Sequence, residues 1–114
     1  MRVIHHQVVR GRGVILNANL VVETVGGEPY EFEPLGQYIV RAVGVCGGRP
    51  IVKYTRIEMS HLLDRVAQGD SISEIVGDYR GRVSREAVVE AIEIANRFFA
   101  TSLSPLSPEK IAST

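Results

Sequence analysis

Apolar positions along this chain recur with two different periods, and the change between them divides it. Val3, Ile4, Val8 and Val9 form a β-branched run. After Gly11-Arg12-Gly13 a second run, Val14-Ile15-Leu16-Asn17-Ala18-Asn19-Leu20-Val21-Val22, leads to Gly26-Gly27. Two β-rich runs joined by a short glycine-containing loop predict a hairpin. Neither run alternates cleanly, so the pattern assigns no buried face. An isolated hairpin is marginal in water, which requires this one to pack on the rest of the chain or on a second subunit. Residues 26–37 mix Gly and Pro and read as a loop that can hold a short strand at 30–32. Residues 38–40 read as another strand, and Gly44, Gly47, Gly48 and Pro50 mark a tight turn before Ile51 and Val52.

From Glu58 the period becomes helical. Met59, Leu62, Leu63 and Val66 follow the i, i+3, i+4, i+7 pattern, with Gly69 as a stop. Ser71 and Glu74 have capping-box spacing, in which each side chain satisfies the other's free amide, and Ile72, Ile75, Val76 and Tyr79 form the stripe behind them. Arg80-Gly81-Arg82-Val83 is a connector. Ser84 caps a third helix running to about Ala100. Its apolar residues, among them Ala87, Val88, Ala91, Ile92, Ile94, Ala95, Phe98 and Phe99, cover an arc of roughly 160°, wider than the ~100° one core needs. Such an arc predicts cover on two sides, and in a short chain a homodimer would supply it. Beyond Thr101, the Ser and Pro residues predict a flexible tail.

The expected fold class is therefore α+β: mainly α with an N-terminal β-rich segment, a three-helix, helix-turn-helix-like core preceded by a β-hairpin. Residues 1–37 are expected to form an arm, 38–101 the three-helix domain and 102–114 the tail.

Composition narrows the function. With 114 residues, 45% hydrophobic and 23% charged, the chain suits one globular domain. No apolar run reaches membrane-spanning length and the N-terminus lacks a signal-peptide core, so a cytoplasmic location without membrane contact is expected. Thirteen basic and thirteen acidic residues cancel, which argues against binding DNA by bulk charge. Residues 1–56 hold seven Lys/Arg and four Asp/Glu (+3), and 57–114 hold six and nine (−3). Cys46 is the single cysteine, so neither a disulfide within the chain nor a thiolate zinc cage is available. It also lacks a neighbouring His or Lys to activate the thiol. His5 and His6 would point to opposite faces of a strand. The glycine-rich stretch at 44–48 lacks the Lys-Ser/Thr ending of a phosphate loop, and no nucleophile elbow occurs. Glu86 and Glu90 read as a solvated helix face rather than an acid/base pair. No enzyme, cofactor or metal is expected. Arg80, Arg82 and Arg85 cluster where a helix-turn-helix contacts phosphates or guanines, and are the candidate DNA-binding residues. The glutamates at 86, 90 and 93 on the same helix oppose that role.

The segment Cys46-Gly47-Gly48-Arg49-Pro50-Ile51-Val52-Lys53-Tyr54-Thr55-Arg56-Ile57 resembles the opening of domain-of-unknown-function family 433. There a Gly-Gly-basic-Pro turn leads to a short strand and a Gly-Thr-Arg-Ile sequence. Leu62-Leu63, the Gly69 to Ile75 stretch and Asp78-Tyr79 are similar too, so the resemblance covers about residues 38–100. Tyr54 stands where the family usually has glycine, Glu58 where it has the proline that starts the first helix, and Arg80 where it has the proline after Tyr79. If position 54 requires φ > 0, a tyrosine there is strained. The resemblance implies a homeodomain-like fold and an antitoxin role, in which the protein neutralises a small PIN-like nuclease and can bind operator DNA. It makes Gly48, Arg49, Pro50, Thr55, Arg56 and Ile57 the signature positions. Read from their chemistry, Gly48-Arg49-Pro50 would set a turn while Thr55 and Arg56 tie it to the first helix. Leu103, Leu106 and Ile111 resemble a segment that orders on a partner. A stand-alone helix-turn-helix regulator is the alternative, and a small enzyme or ligand-binding protein built on the N-terminal strands ranks last.

Overall fold

A computed structural model of the chain describes residues 2–3, 6–10 and 14–106, with side chains described over 19–106. Among the described residues seven strands come first: β1 (Arg2–Val3), β2 (His6–Arg10), β3 (Val14–Ala18), β4 (Val21–Val25), β5 (Glu28–Pro34), β6 (Ile39–Ala42) and β7 (Ile51–Val52). Five make an antiparallel sheet in the order β1-β4-β5-β6-β7, and β2 and β3 pair as a separate two-stranded ribbon. Three helices follow, α1 (Met59–Ala67), α2 (Ile72–Asp78) and α3 (Arg85–Ser102), giving the expected α+β fold.

The expected hairpin is present, although the Gly11-Arg12-Gly13 loop lies outside the described residues. Its second run divides at Asn19-Leu20, one part pairing with β2 and the other entering the sheet as β4. Arg2 pairs with Val22 and His6 with Ala18, so the two ladders keep one register and the ribbon continues the sheet's edge pair.

Residues 28–34 are strand rather than loop, and Gly26-Gly27 is the cause. Both glycines have positive φ (57° and 83°) and connect the Val25–Glu28 pair, a two-residue hairpin loop whose twist matches the strands it joins. Pro29 opposes Thr24 one pair further on, where its missing N–H faces away from β4. β6 pairs only with residues 32–34, so the proline interrupts no ladder. The sheet thus crosses the expected boundary at 37/38, with β4 and β5 on one side and β6 and β7 on the other.

Alternation along β6 and β7 gives the sheet two buried faces. Ile39 pairs with Val52, and both join Leu62, Ile75, Val88 and Ile94 in the core under the helices. Val40 pairs with Ile51 on the opposite face, where Val21, Phe32 and Ala42 complete a second cluster edged by Tyr30, Val45 and Cys46.

The helices begin and end as the local signals predict. Ser71 and Glu74 form the capping box, with Ser71 Oγ accepting from Glu74 N and Glu74 Oε1 from Ser71 N. Ser84 Oγ accepts from Ala87 N, and Gly69 at φ 95° ends α1. Arg65 holds Asp70 and Asp78 together, fixing α1 against α2.

Glu90 is not the solvated residue its sequence neighbours suggest. It lies half-buried on α3 and accepts three backbone hydrogen bonds from the turn before β6: from Gln37 N (2.8 Å), Tyr38 N (2.7 Å) and Ile39 N (2.7 Å). A Cβ at Gly36 would fall inside the carboxylate, so a larger residue there has to displace Glu90 from its three backbone partners.

Candidate functional site

The signature turn is built on left-handed backbone. Cys46, Gly47 and Gly48 have φ of 49°, 63° and 78° in a 3₁₀ turn, a path that glycine takes without strain at the last two positions. Arg49 follows and reaches Glu58 with both arms of its guanidinium, Nε to Oε1 at 2.8 Å and Nη2 to Oε2 at 3.1 Å. That pairing holds the Glu58 carboxyl below its ordinary range, against the opposing effect of burial. The Pro50 carbonyl accepts from Met59 N at 2.9 Å, so the turn is joined directly to the start of α1. Thr55 Oγ1 donates to the Val52 carbonyl (2.8 Å) and accepts from Ile57 N (3.0 Å), closing the next turn and seating Ile57 in the core.

Arg56 does not share this tying role. Its carbonyl accepts from the Cys46 thiol, but its guanidinium is exposed and makes no ion pair or hydrogen bond among the described residues.

Tyr54 has φ 68°, the conformation glycine adopts freely and other residues enter at about 1–2 kcal/mol. Three residues that sequence reading did not single out hold it. The Tyr30 hydroxyl accepts from Tyr54 N at 3.0 Å, and the two rings lie 5.3 Å apart at 40°. The Tyr54 hydroxyl donates to Glu23. Lys53 Nζ reaches the same carboxylate at 3.0 Å while sitting 4.5 Å from the Phe32 ring centre and 4.8 Å from that of Tyr54. The hydrogen bond from Tyr54, then that from Lys53, hold the buried Glu23 carboxyl below its usual range even though burial alone would raise it. Burial raises the Tyr30 phenol.

Arg80 also has positive φ (53°), followed by Gly81 at 85°. Proline, locked near −65°, cannot take this conformation, so the connector here follows a path that a proline at 80 would forbid. Arg80 N donates to the Gly77 carbonyl and Arg82 N to that of Tyr79, which closes the connector. The side chains of Arg80, Arg82 and Arg85 are exposed and unpaired among the described residues. The fold brings only Arg82 of these together with the signature turn. Arg82 and Arg56 line one cavity of about 470 Å³, with Tyr30, Val45, Tyr54 and Thr55 as its other walls.

At the far end of α3 the apolar arc divides. Ala87, Val88, Ala91 and Ile94 are buried, whereas Phe98 and Phe99 are 60% and 66% exposed. Leu103 and Leu106 are exposed beyond them, and Ile111 lies outside the described residues. Leu35, Ile94, Arg97, Phe98 and Thr101 line a shallow cavity of about 210 Å³ at this end. His61 is exposed, and no cluster of three His, Cys, Asp or Glu residues able to hold a metal occurs among the described residues. No helix among them is long and apolar enough to cross a membrane.

The family model "Protein of unknown function (DUF433)" matches residues 39–95, half of the chain. No curated protein and no solved structure matches. The matched segment runs from β6 through Ala95 and contains Tyr54, Arg56 and Arg82. Glu23, Tyr30 and the exposed end of α3 fall outside it.

Proposed function

The chain belongs to DUF433, a family of unknown function, and on that premise we propose that it is an antitoxin-like binding protein that holds a small PIN-like nuclease through the C-terminal end of α3. The observation that carries this reading is the pair Phe98 and Phe99, large side chains more than half exposed on a well-formed helix, continued by Leu103 and Leu106. Contiguous apolar surface of this kind marks sites where another protein docks. Aromatic anchors there contribute most of the binding energy when they are desolvated. Ile92, exposed one turn and a half earlier, extends the surface, and a homodimer in the cytoplasm is part of the same reading.

Co-expression with the product of the adjacent reading frame tests it, with growth and co-purification as readouts. The expected result is toxicity from that product alone, relief by this chain, and a stable complex. Phe98→Ser with Phe99→Ser should abolish the complex while changing stability by less than about 0.5 kcal/mol, because both residues are exposed. A complex that survives these substitutions moves the interface away from α3, and absence of toxicity and complex together overturns the antitoxin role.

A second reading is a stand-alone helix-turn-helix regulator. It is favoured by Arg80, Arg82 and Arg85 across the connector and first turn of α3, exposed and without a partner among the described residues. It requires duplex binding that weakens steeply with salt and is lost with Arg80→Ala plus Arg85→Ala.

A further inference from the structure

We propose that the groove between the turn after β7 and the α2–α3 connector binds a nucleoside phosphate, with the phosphate between Arg56 and Arg82 and the base on the Tyr54 ring. The proposal is independent of the nuclease-binding reading.

The two arginines differ from others in the chain. Arg41, Arg49 and Arg65 each hold a carboxylate. Arg56 and Arg82 come from separate elements, line the same cavity, and hold none among the described residues. Two guanidiniums without counter-ions on one concavity create a site for an anion, and their planar forks suit phosphate oxygens.

The other walls contain no acid. Glu23, the nearest carboxylate to Tyr54, is engaged beneath it by Lys53 and the Tyr54 hydroxyl. The Tyr54 hydroxyl is committed as a donor to Glu23, and the Tyr30 hydroxyl accepts from the Tyr54 amide. What the Tyr54 ring offers a ligand is therefore its apolar surface, while the Tyr30 hydroxyl keeps its proton to donate. Tyr54 is 55% exposed and is held there in spite of an unfavourable φ, so the chain keeps an aromatic ring at a position that glycine would fill without strain. Charge for a phosphate beside a ring for a planar base is the combination that recognises nucleotides. A volume of about 470 Å³ lies in the range of small-molecule sites.

The same chemistry is presented by a free nucleotide and by one nucleotide of a single strand. Titrating the full chain with AMP, with inorganic phosphate alone and with a short oligothymidylate, followed by calorimetry, separates these. AMP is expected to bind about tenfold more tightly than inorganic phosphate, the difference being the stacked base. Arg56→Ala and Arg82→Ala should each weaken AMP by about tenfold or more. Tyr54→Phe keeps the ring but loses its hydrogen bond to Glu23, so it should weaken AMP less than Tyr54→Gly does. Tyr54→Gly should lose about tenfold, and φ 68° lets glycine stand there with the fold intact, as circular dichroism would verify. Affinity for oligothymidylate far above that for AMP identifies a strand as the ligand, and equal affinities identify a free nucleotide. Absence of binding to both, or binding unaffected by Arg56→Ala and Arg82→Ala, overturns the proposal. Binding to duplex DNA alone does so as well, and returns Arg82 to the regulator reading.

Discussion

The two faces of the sheet are made from neighbouring residues of the same strands, yet they are finished differently. Ile39 and Val52 go under the helices, and Val40 and Ile51, one position along, go to the other side. Each face is locked by one carboxylate. On the helix side Glu90 grips backbone, taking three N–H groups of the turn before β6. On the other side Glu23 grips side chains, the Tyr54 hydroxyl and the Lys53 ammonium. A backbone clamp fixes the path of the chain and admits few replacements. A side-chain clamp fixes the posture of a surface, here the wall of the groove that Arg56 and Arg82 share. The first is a device of folding and the second a device of presentation, and substitutions should separate them.

The largest effect should come from the helix-side core. Leu62 is fully buried between the layers, so Leu62→Ala should cost about 2–5 kcal/mol in urea unfolding and leave no soluble, folded fraction if the wild type is marginal. A loss below about 1 kcal/mol would mean the helical layer is not the principal core.

The next largest should come from the backbone clamp. Glu90→Gln puts an amide N–H against a backbone N–H and should cost about 2 kcal/mol, since buried donors left unpaired lose their solvation without return. Gly36→Ala should be similarly damaging in the wild type, because its Cβ enters the space of the carboxylate. In a Glu90→Ala background that clash is gone, so the two costs should fail to add. Additive costs in the double variant would show that Gly36 is glycine for some reason other than Glu90.

What the sequence made legible in this comparison followed sequence distance. The capping box at Ser71 and Glu74, the Ser84 cap and the Gly69 stop involve partners within four residues, and the residue types alone dictate the geometry. Gly26-Gly27 was legible as punctuation but not as a hairpin, because that depends on what Val21–Val25 faces. Glu90 reads as solvated in the sequence because its partners lie more than fifty residues earlier. The glycine usual at position 54 raises positive φ there as a condition, and φ is 68°. Tyr30 and Glu23, which make that conformation tenable, sit in strands outside the family match and carry no local signal. By sequence Arg56 belongs with the residues that tie the turn together. Only the folded chain separates its guanidinium from theirs and places it beside Arg82.

The smallest effect, and the one that sharpens the comparison most, concerns the charge on Glu23. Hydrogen bonds from Tyr54 and then Lys53 favour its ionised form, outweighing burial, so its folded pKa lies below the unfolded value of about 4.3. A depressed carboxylate contributes stability that is fully present above the unfolded pKa and is lost as pH falls through the folded one. Glu23→Gln removes that contribution at every pH. The stability gap between wild type and Glu23→Gln, measured by urea midpoints, should therefore be constant near neutrality and close as pH falls below the unfolded value and through the lower folded one. Over the same range the exposure of Tyr54, followed by its quenching, should rise in the wild type toward the level seen in the variant at neutral pH. A gap that stays constant through acid would mean that the shape of the side chain at 23 matters and its charge does not. The two faces would then differ in packing alone.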